Sequence, residues 1–222
     1  MLERPEECTR ERLLRSACDV FAEKGFHEAT IAEICERAGA NIAAVNYYFR
    51  SKDNLYVEAW RRAFHESLAV HPPEGDAGPD APAEERLRSR IFSLIQRVAD
   101  PKSREFDIIR KELANPTGLL TDAMREAIQP VQEGLGSVIL ELLGDRAGAP
   151  RALLCRRSIA TQCIHFTLRE RQRLGGPAGR EPGPPALGLD IAVIADHVYR
   201  FSLAGIREVR RQAERGELAG EA

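Results

Sequence analysis

Apolar residues recur at helical spacing along nearly the whole chain, and the pattern is sharpest between residues 30 and 52, TIAEICERAGANIAAVNYYFRSK. Thr30 and Glu33 have the spacing of a capping box, in which each side chain bonds the other residue's backbone N–H. The apolar residues that follow are spaced i, i+3, i+4, i+7 and predict one buried stripe: Ile31, Ile34, Cys35 and Ala38. Gly39 supplies a left-handed residue that ends this short helix.

A second short helix is predicted from an Asn41 cap to about Phe49. Val45 and Phe49 share its inner face with Ala40, which lies just before it. The opposite positions have no evident core partner: Ile42, Ala43, Asn46 and Tyr47. Two helices joined by a glycine turn, the second with an outward cluster of small, amide and aromatic residues, are typical of a helix-turn-helix.

The remaining pattern is also helical. Thr9 is the predicted cap of a helix ending at about Lys24, and Ser51 caps a helix over 52–70. Further helices are predicted over 84–98, 103–114, 119–143 with a kink or break at Pro130, 150–174 and 190–214. Residues 71–83 and 175–188 are rich in proline and glycine and read as an exposed linker and a loop. The fold class is therefore all-α: an N-terminal three-helix head followed by a helical bundle, about nine helices in total.

Two stretches resemble a known family. IAEICERAGANIAAVNYYFRSKDNLY, preceded by VFAEKGFHEAT, is similar to the DNA-binding domain of TetR-family transcriptional regulators. KELANPT, from Lys111 to Thr117, resembles the R-E-L-x-N-P-T element of the CecR-like subgroup. The resemblance implies four parts: a helix-turn-helix domain over 1–51, a connecting helix over 52–70, the linker over 71–83, and a ligand-binding and dimerisation domain over 84–222.

The same resemblance implies which residues contact DNA. In the family the recognition helix enters the major groove, and the matching positions here are Asn41, Ile42, Ala43, Ala44, Asn46, Tyr47 and Tyr48. Small methyl-bearing residues suit thymine methyl groups, and Asn46 can bind adenine bidentately, although many members have Tyr there. Tyr47, Tyr48 and Thr30 are expected to donate to phosphates. Lys52 matches the family's phosphate-binding lysine, and Arg50 is expected to assist it.

Composition adds limits. Net charge is −2, and residues 1–70 hold 10 Lys and Arg against 12 Asp and Glu. DNA binding must therefore depend on the placement of a few cations, with acidic groups turned away from the groove. The five cysteines have no C-x-x-C spacing and read as reduced core residues, although Cys155 and Cys163 leave a redox role open. No metal, cofactor, membrane span or secretory signal is expected, which favours a cytoplasmic protein.

The C-terminal helices are expected to enclose an apolar cavity for a small molecule. The candidate polar lining is Arg110, Asn115, Gln162 and His165, and the candidate walls are Phe106, Ile109, Leu113 and Phe166. A core or interface role competes with a ligand role at each position, His165 in particular.

The last two helices carry small and apolar residues, and the resemblance implies that they pair with a second subunit. The candidates are Ala152, Ile159, Ala160 and Cys163 on one helix and Ile191, Ile194, Val198, Phe201 and Gly205 on the other. A two-fold dimer presents its recognition helices about 34–36 Å apart, which matches a near-palindromic operator on double-stranded DNA.

We therefore expect a homodimeric repressor that a small molecule releases from its operator. A regulator controlled by a protein partner or by its own abundance is the alternative. A helical-bundle enzyme is the remote third, because the sequence contains no catalytic constellation such as G-x-S-x-G.

Overall fold

A computed structural model describes residues 8–173 and 187–216, except for the side chains of residues 172 and 173. This part of the chain is helical and contains no strand. Its helices are α1 (Thr9–Glu28), α2 (Ile31–Ala38), α3 (Ile42–Tyr48), α4 (Lys52–Val70), α5 (Ala83–Ala99), α6 (Arg104–Ala114), α7 (Thr121–Leu143), α8 (Gly148–Arg173) and α9 (Ile191–Arg215). The all-α prediction is confirmed.

The start and end of α1 differ in detail from the prediction. Cys8 is the N-cap residue and makes no side-chain cap bond, so Thr9 is the first helical residue and not the cap. The regular helix stops at Gly25, whose φ of 78° and ψ of −179° are open only to glycine, and one further turn reaches Glu28. A Cβ at Gly25 would lie 3.2 Å from the Cβ of Lys111 on α6, so this glycine also permits a close helix contact.

The chain forms two compact units. The first contains the described residues up to Ala69 together with Lys102–Ala127, and the second contains Val70–Pro101 and the described residues from Ile128 onward. α7 crosses from the first to the second between Ala127 and Ile128. The four functional parts predicted from the sequence are a different kind of division and remain a prediction.

The first unit has an aromatic core around α1 and α4. The rings of Phe21 and Tyr56 meet edge to face at 4.8 Å, and Trp60 stacks on Phe64 at 5.3 Å. α6 packs against α1, where the Arg104 guanidinium bonds the Asp19 carboxylate at 2.8 Å. Sequence reasoning grouped α6 with the C-terminal bundle, whereas the structure places it beside the N-terminal helices.

The second unit is built from α5, α8, α9 and the later turns of α7. Its core consists of buried aliphatic residues from all four helices, among them Leu87, Ile91, Ile95, Val138, Ile139, Leu143, Ile159, Ile194, Val198 and Ile206. The predicted kink or break at Pro130 is not a break, because α7 continues through it.

Residues 71–82 form exposed and half-buried turns that are hydrogen-bonded to α5. Ser89 Oγ accepts hydrogen bonds from the backbone N–H groups of Asp76 and Ala77 at 2.8 and 3.1 Å, and Ser93 Oγ donates to the carbonyl of Pro72. The predicted loop over 175–188 lies outside the described residues up to position 186.

Candidate nucleic-acid interface

α2 supports the interface from behind, and local caps fix its two ends. Thr30 Oγ1 accepts the backbone N–H of Glu33 at 3.2 Å, as the sequence predicts. The reciprocal half of the capping box is absent from the described bonds, because the Glu33 carboxylate instead accepts from Lys24 at 2.7 Å and Arg37 at 2.8 Å. Gly39 ends the helix with a left-handed φ of 59°.

α3 follows after two residues, and its cap and buried face match the prediction. Asn41 Oδ1 accepts the backbone N–H of Ala44 at 2.9 Å. Val45 is 1% exposed and Phe49 is 3% exposed, so these two residues anchor the helix to the first unit. The remaining faces of this two-turn helix are left to solvent.

Every predicted DNA contact except two is exposed. The exposed residues are Thr30, Asn41, Ile42, Ala43, Asn46, Tyr47, Tyr48 and Arg50, while Ala44 and Lys52 are half-buried. Ile42 is 54% exposed and Tyr47 is 80% exposed, so two large side chains of α3 are accessible to a binding partner. The Tyr47 and Tyr48 rings meet edge to face at 4.9 Å, so each orients the other.

Arg50 connects α3 to α4 in a strained conformation. It has a φ of 66°, which is left-handed, and it is the one non-glycine residue with positive φ in the described chain. Its backbone N–H closes the end of α3 by bonding the carbonyl of Val45 at 3.2 Å. Glycine or asparagine is the usual residue at such a position. An exposed arginine there is consistent with a role for its side chain.

Lys52 is the first residue of α4, and its side chain rests on an aromatic ring. Ser51 Oγ accepts the backbone N–H of Asn54 at 3.1 Å, which confirms the predicted cap. The Lys52 ammonium lies 4.4 Å from the centroid of the Phe26 ring. Partial burial lowers the pKa of Lys52, and the charge of Asp53 opposes that shift.

Ion pairs account for most acidic groups of the helices that carry the interface. On one side, Arg37 bonds Glu23 and Glu33 at 2.8 Å each. On another, Arg10 bonds Glu58 at 3.2 Å and Arg62 bonds Glu11, which links α1 to α4. Their bonds to Arg37 and Lys24 lower the pKa values of the Glu23 and Glu33 carboxyls respectively.

In contrast, neither Arg50 nor Lys52 has an ion-pair partner among residues 8–173 and 187–216. Most acidic groups of these helices are thus paired with cations, while two cations without such a partner follow the C-terminal end of α3. This arrangement is what phosphate binding at this surface requires.

The predicted effector-site residues are distributed over both units. On α6 and its end, Phe106 is buried, Ile109 and Arg110 are half-buried, and Asn115 and Leu113 are exposed, the latter by 74%. On α8, Gln162 and Phe166 are half-buried and His165 is exposed. The exposure of Leu113 does not suit a cavity wall, since a wall residue is covered by its neighbours.

The predicted dimer stripe is largely core. Ala152, Ile159, Cys163, Ile194 and Val198 are buried within the second unit itself, which corrects the expectation that they face a partner. Of that set, Phe201 and Gly205 are exposed. The exposed apolar residues of these helices are instead Leu153, Leu154, Val193 and Phe201. Helical spacing identifies a buried stripe but does not say whether the same chain or another one buries it.

Two contacts near the interface were not found by sequence reasoning. Phe26 lies under Lys52, and the hydroxyl of Tyr56 bonds Glu112 of α6. Phe26 belongs to the FAEKGF stretch and Glu112 to the KELANPT stretch, so both lie inside the motifs that resemble the family. The motifs identify these residues, but the sequence does not indicate which neighbouring helix each side chain contacts.

Residues 8–173 and 187–216 contain no group of three or more His, Cys, Asp or Glu side chains arranged to hold a metal ion. Over the same residues, no helix is both long enough and apolar enough to cross a membrane.

Family models match both parts of the chain. Residues 13–59 match the model described as bacterial regulatory proteins, tetR family. Residues 83–206, more than half of the chain, match the model of the C-terminal domain of the HTH-type transcriptional dual regulator CecR.

Individual transcriptional regulators are also similar to this chain. The HTH-type transcriptional dual regulator CecR of Shigella flexneri is 27% identical over 172 residues, which cover 73% of this chain and 77% of CecR. The HTH-type transcriptional regulator SrpR of Pseudomonas putida is 29% identical over 122 residues, about half of each chain at 54%. The solved structure of FadR from Bacillus subtilis in complex with stearoyl-CoA has the same fold, with a TM-score of 0.66 at 16% identity over 87% of this chain and 97% of FadR.

Proposed function

The chain belongs to the TetR family of DNA-binding transcriptional regulators, with a C-terminal domain of the CecR type, and from this premise we propose that it is a homodimeric repressor released from its operator by a small molecule. The proposal has three parts: DNA contact by α3 and the residues beside it, pairing through α8 and α9, and binding of a small-molecule effector. A DNA-binding regulator acts where the chromosome is, so the proposed location is the cytoplasm.

The observation that carries the DNA part is the outward face of α3. Its cap and inner residues are fixed by the fold, while Ile42 and Tyr47 are 54% and 80% exposed. Asn46 lies between them on the same short helix and can read a base edge through its amide. Arg50 and Lys52, without ion-pair partners in the described chain, follow directly and would bind phosphates.

The dimer part rests on exposed apolar side chains of α8 and α9. Leu154 is 66% exposed and Phe201 is 62% exposed, and the Phe201 ring stacks on His197 at 6.1 Å. A Cβ added to Gly205, one turn after Phe201, would meet no atom within 4 Å, so the surface there is open to close approach. A second copy of this chain would cover these residues by two-fold pairing.

The effector part has support on α4. Trp60 Nε1 and Ser67 Oγ are buried and have no hydrogen-bond partner in the described chain. They are seven residues apart and therefore share a helix face. Because an unpaired buried polar group costs free energy, a ligand with an acceptor group would gain from bonding them. Trp60 is also the only tryptophan of the chain, which makes it a direct probe.

Release requires that the effector bind the non-operator state more tightly. A preference of about 100-fold corresponds to roughly 2.7 kcal/mol of coupling between the effector site and the operator site. The alternative, control by a protein partner or by abundance, needs no such ligand.

The test is an operator-binding titration in the presence of candidate effectors, with Trp60 fluorescence recorded in parallel. A long-chain acyl-CoA is the first compound to use, since the FadR structure contains stearoyl-CoA. A ligand that changes Trp60 emission and weakens the operator complex supports the proposal. Tight operator binding that no tested ligand loosens, together with unchanged Trp60 emission, favours the alternative.

A further inference from the structure

Glu112, in the last turn of α6, gathers the turn that follows it. Its Oε1 accepts the backbone N–H groups of Thr117 and Gly118 at 2.9 and 3.1 Å. The Thr117 hydroxyl donates to the same carboxylate at 2.9 Å. One carboxylate thereby fixes the end of α6 and the turn that leads into α7.

The other carboxylate oxygen reaches α4. Tyr56 donates its hydroxyl hydrogen to Glu112 Oε2 at 3.0 Å, and the Tyr56 side chain is 0% exposed. Burial, with the neighbouring Glu112 charge, raises the pKa of Tyr56, so the phenol remains a hydrogen-bond donor throughout the physiological range. Hydrogen bonds to an ionised acceptor are stronger than neutral ones, so this link is a firm one.

The Tyr56 ring continues the connection toward the interface. It lies 5.1 Å from the Phe26 ring and 4.8 Å from the Phe21 ring, both on α1. The Phe26 ring is the surface on which the Lys52 ammonium rests, at 4.4 Å. Four groups are thus in sequential contact: the Glu112 carboxylate, the Tyr56 ring, the Phe26 ring and the Lys52 ammonium. All four belong to the first compact unit.

We propose that Glu112 is a positioning residue for DNA binding, acting through Tyr56 and Phe26 to hold Lys52 where it meets a phosphate. The inference rests on the proposed phosphate contact of Lys52. It also assigns a role to the KELANPT stretch, which no DNA contact explains. Because the Glu112 carboxylate holds Thr117 and Gly118 as well as Tyr56, a displacement of that turn would reach Lys52 through the same contacts.

The test uses the full-length protein and its selected operator. Tyr56→Phe keeps the buried ring and removes the bond to Glu112, and we expect operator affinity to fall about fivefold. Glu112→Gln keeps the shape and removes the charge, and we expect a smaller loss in the same direction. Glu126→Gln is the matched control, because Glu126 is exposed and pairs with Arg61 at 3.2 Å. It should bind within about twofold of wild type, as surface ion pairs contribute little.

A double-mutant cycle with Lys52→Ala separates positioning from general support of the fold. If Glu112 and Tyr56 act through Lys52, then Tyr56→Phe has no further effect once Lys52 is gone. In the protein that retains Lys52, Tyr56→Phe should also reduce the slope of log affinity against log salt concentration. The reduction should be at most about the contribution of one phosphate contact. Circular dichroism at the assay temperature confirms that each variant is folded.

Three results overturn the inference. The first is wild-type affinity for Tyr56→Phe, and the second is the same fold loss from Tyr56→Phe with and without Lys52. The third is a Lys52→Ala variant that binds like wild type, which contradicts the proposed phosphate contact itself and is therefore distinguishable from the other two.

Discussion

The Lys52 ammonium lies over the ring of Phe26, 4.4 Å from its centroid. Phe26 follows the glycine that ends the regular part of α1, and Lys52 opens α4, so the contact joins two helices of the first unit. A cation–π contact of this kind contributes about 0.5–1 kcal/mol at an exposed site. It restricts a long side chain to one position before DNA arrives, which reduces the entropy lost on binding.

The first prediction concerns the pH dependence of operator affinity. Partial burial lowers the pKa of Lys52 in the free protein, whereas a phosphate in the complex stabilises the charged form. Affinity should therefore be constant in pH below the free-protein pKa of Lys52 and should fall as pH rises through it. Binding titrations across the alkaline range measure this. Lys52→Arg stays charged and should lose that part of the pH dependence. An identical pH profile for wild type and Lys52→Arg would contradict the assignment.

The second prediction concerns Arg50. Because its φ of 66° is strained for a residue with a Cβ, Arg50→Gly should raise the free energy of unfolding by about 0.5–1 kcal/mol. The same change removes a phosphate contact, so operator affinity should fall and the salt slope should drop by about one. Urea unfolding and salt-dependent binding measure the two effects. A more stable variant with unchanged affinity would show that the arginine side chain has no DNA role.

The third prediction concerns base reading by Asn46. Asn46→Ala should reduce discrimination at one base-pair position by about 1–3 kcal/mol while binding to other sequences changes little. Lys52→Ala is the contrasting variant and should weaken binding to all sequences alike. Competition assays with single-substituted operators provide the comparison. Uniform loss from Asn46→Ala would mean that the residue positions the helix and reads no base.

The fourth prediction concerns the dimer. Phe201 is 62% exposed on α9, so Phe201→Glu should leave the fold intact and place two carboxylates in the proposed two-fold interface. Light scattering should then give a monomer mass, and operator affinity should fall by more than tenfold. Leu140→Glu on α7, where the leucine is 45% exposed, is the control and should remain dimeric. A dimer that survives Phe201→Glu would place the interface elsewhere.

Local rules predicted the caps and turns from α2 to the start of α4 well, although they misplaced the cap of α1. The Thr30, Asn41 and Ser51 caps, the Gly39 turn and the buried pair Val45 and Phe49 depend on residues a few positions apart, and each is found in the structure. The predicted bond from the Thr30 backbone N–H to Glu33 was wrong because other donors compete for the Glu33 carboxylate. Its carboxylate gains more from two cations, Lys24 and Arg37, than from one backbone N–H.

Long-range pairing was less predictable. The apolar spacing of α6 would suit packing against the N-terminal helices or against the C-terminal bundle equally well. The close approach of Lys111 to Gly25, which places α6 beside α1, joins residues 86 positions apart. The α8 and α9 stripes were misassigned for a related reason. A stripe of Ile159, Cys163, Ile194 and Val198 reports burial but not the partner that causes it.

The central claim is that α3 is presented outward, once per subunit of a two-fold dimer, to read DNA. Selection of bound fragments from random DNA by the full-length protein tests it most directly. The account predicts an enriched inverted repeat with half-site centres about one helical turn apart, and loss of that enrichment for Phe201→Glu. Enrichment of an asymmetric single site, or of no sequence at all, would contradict it.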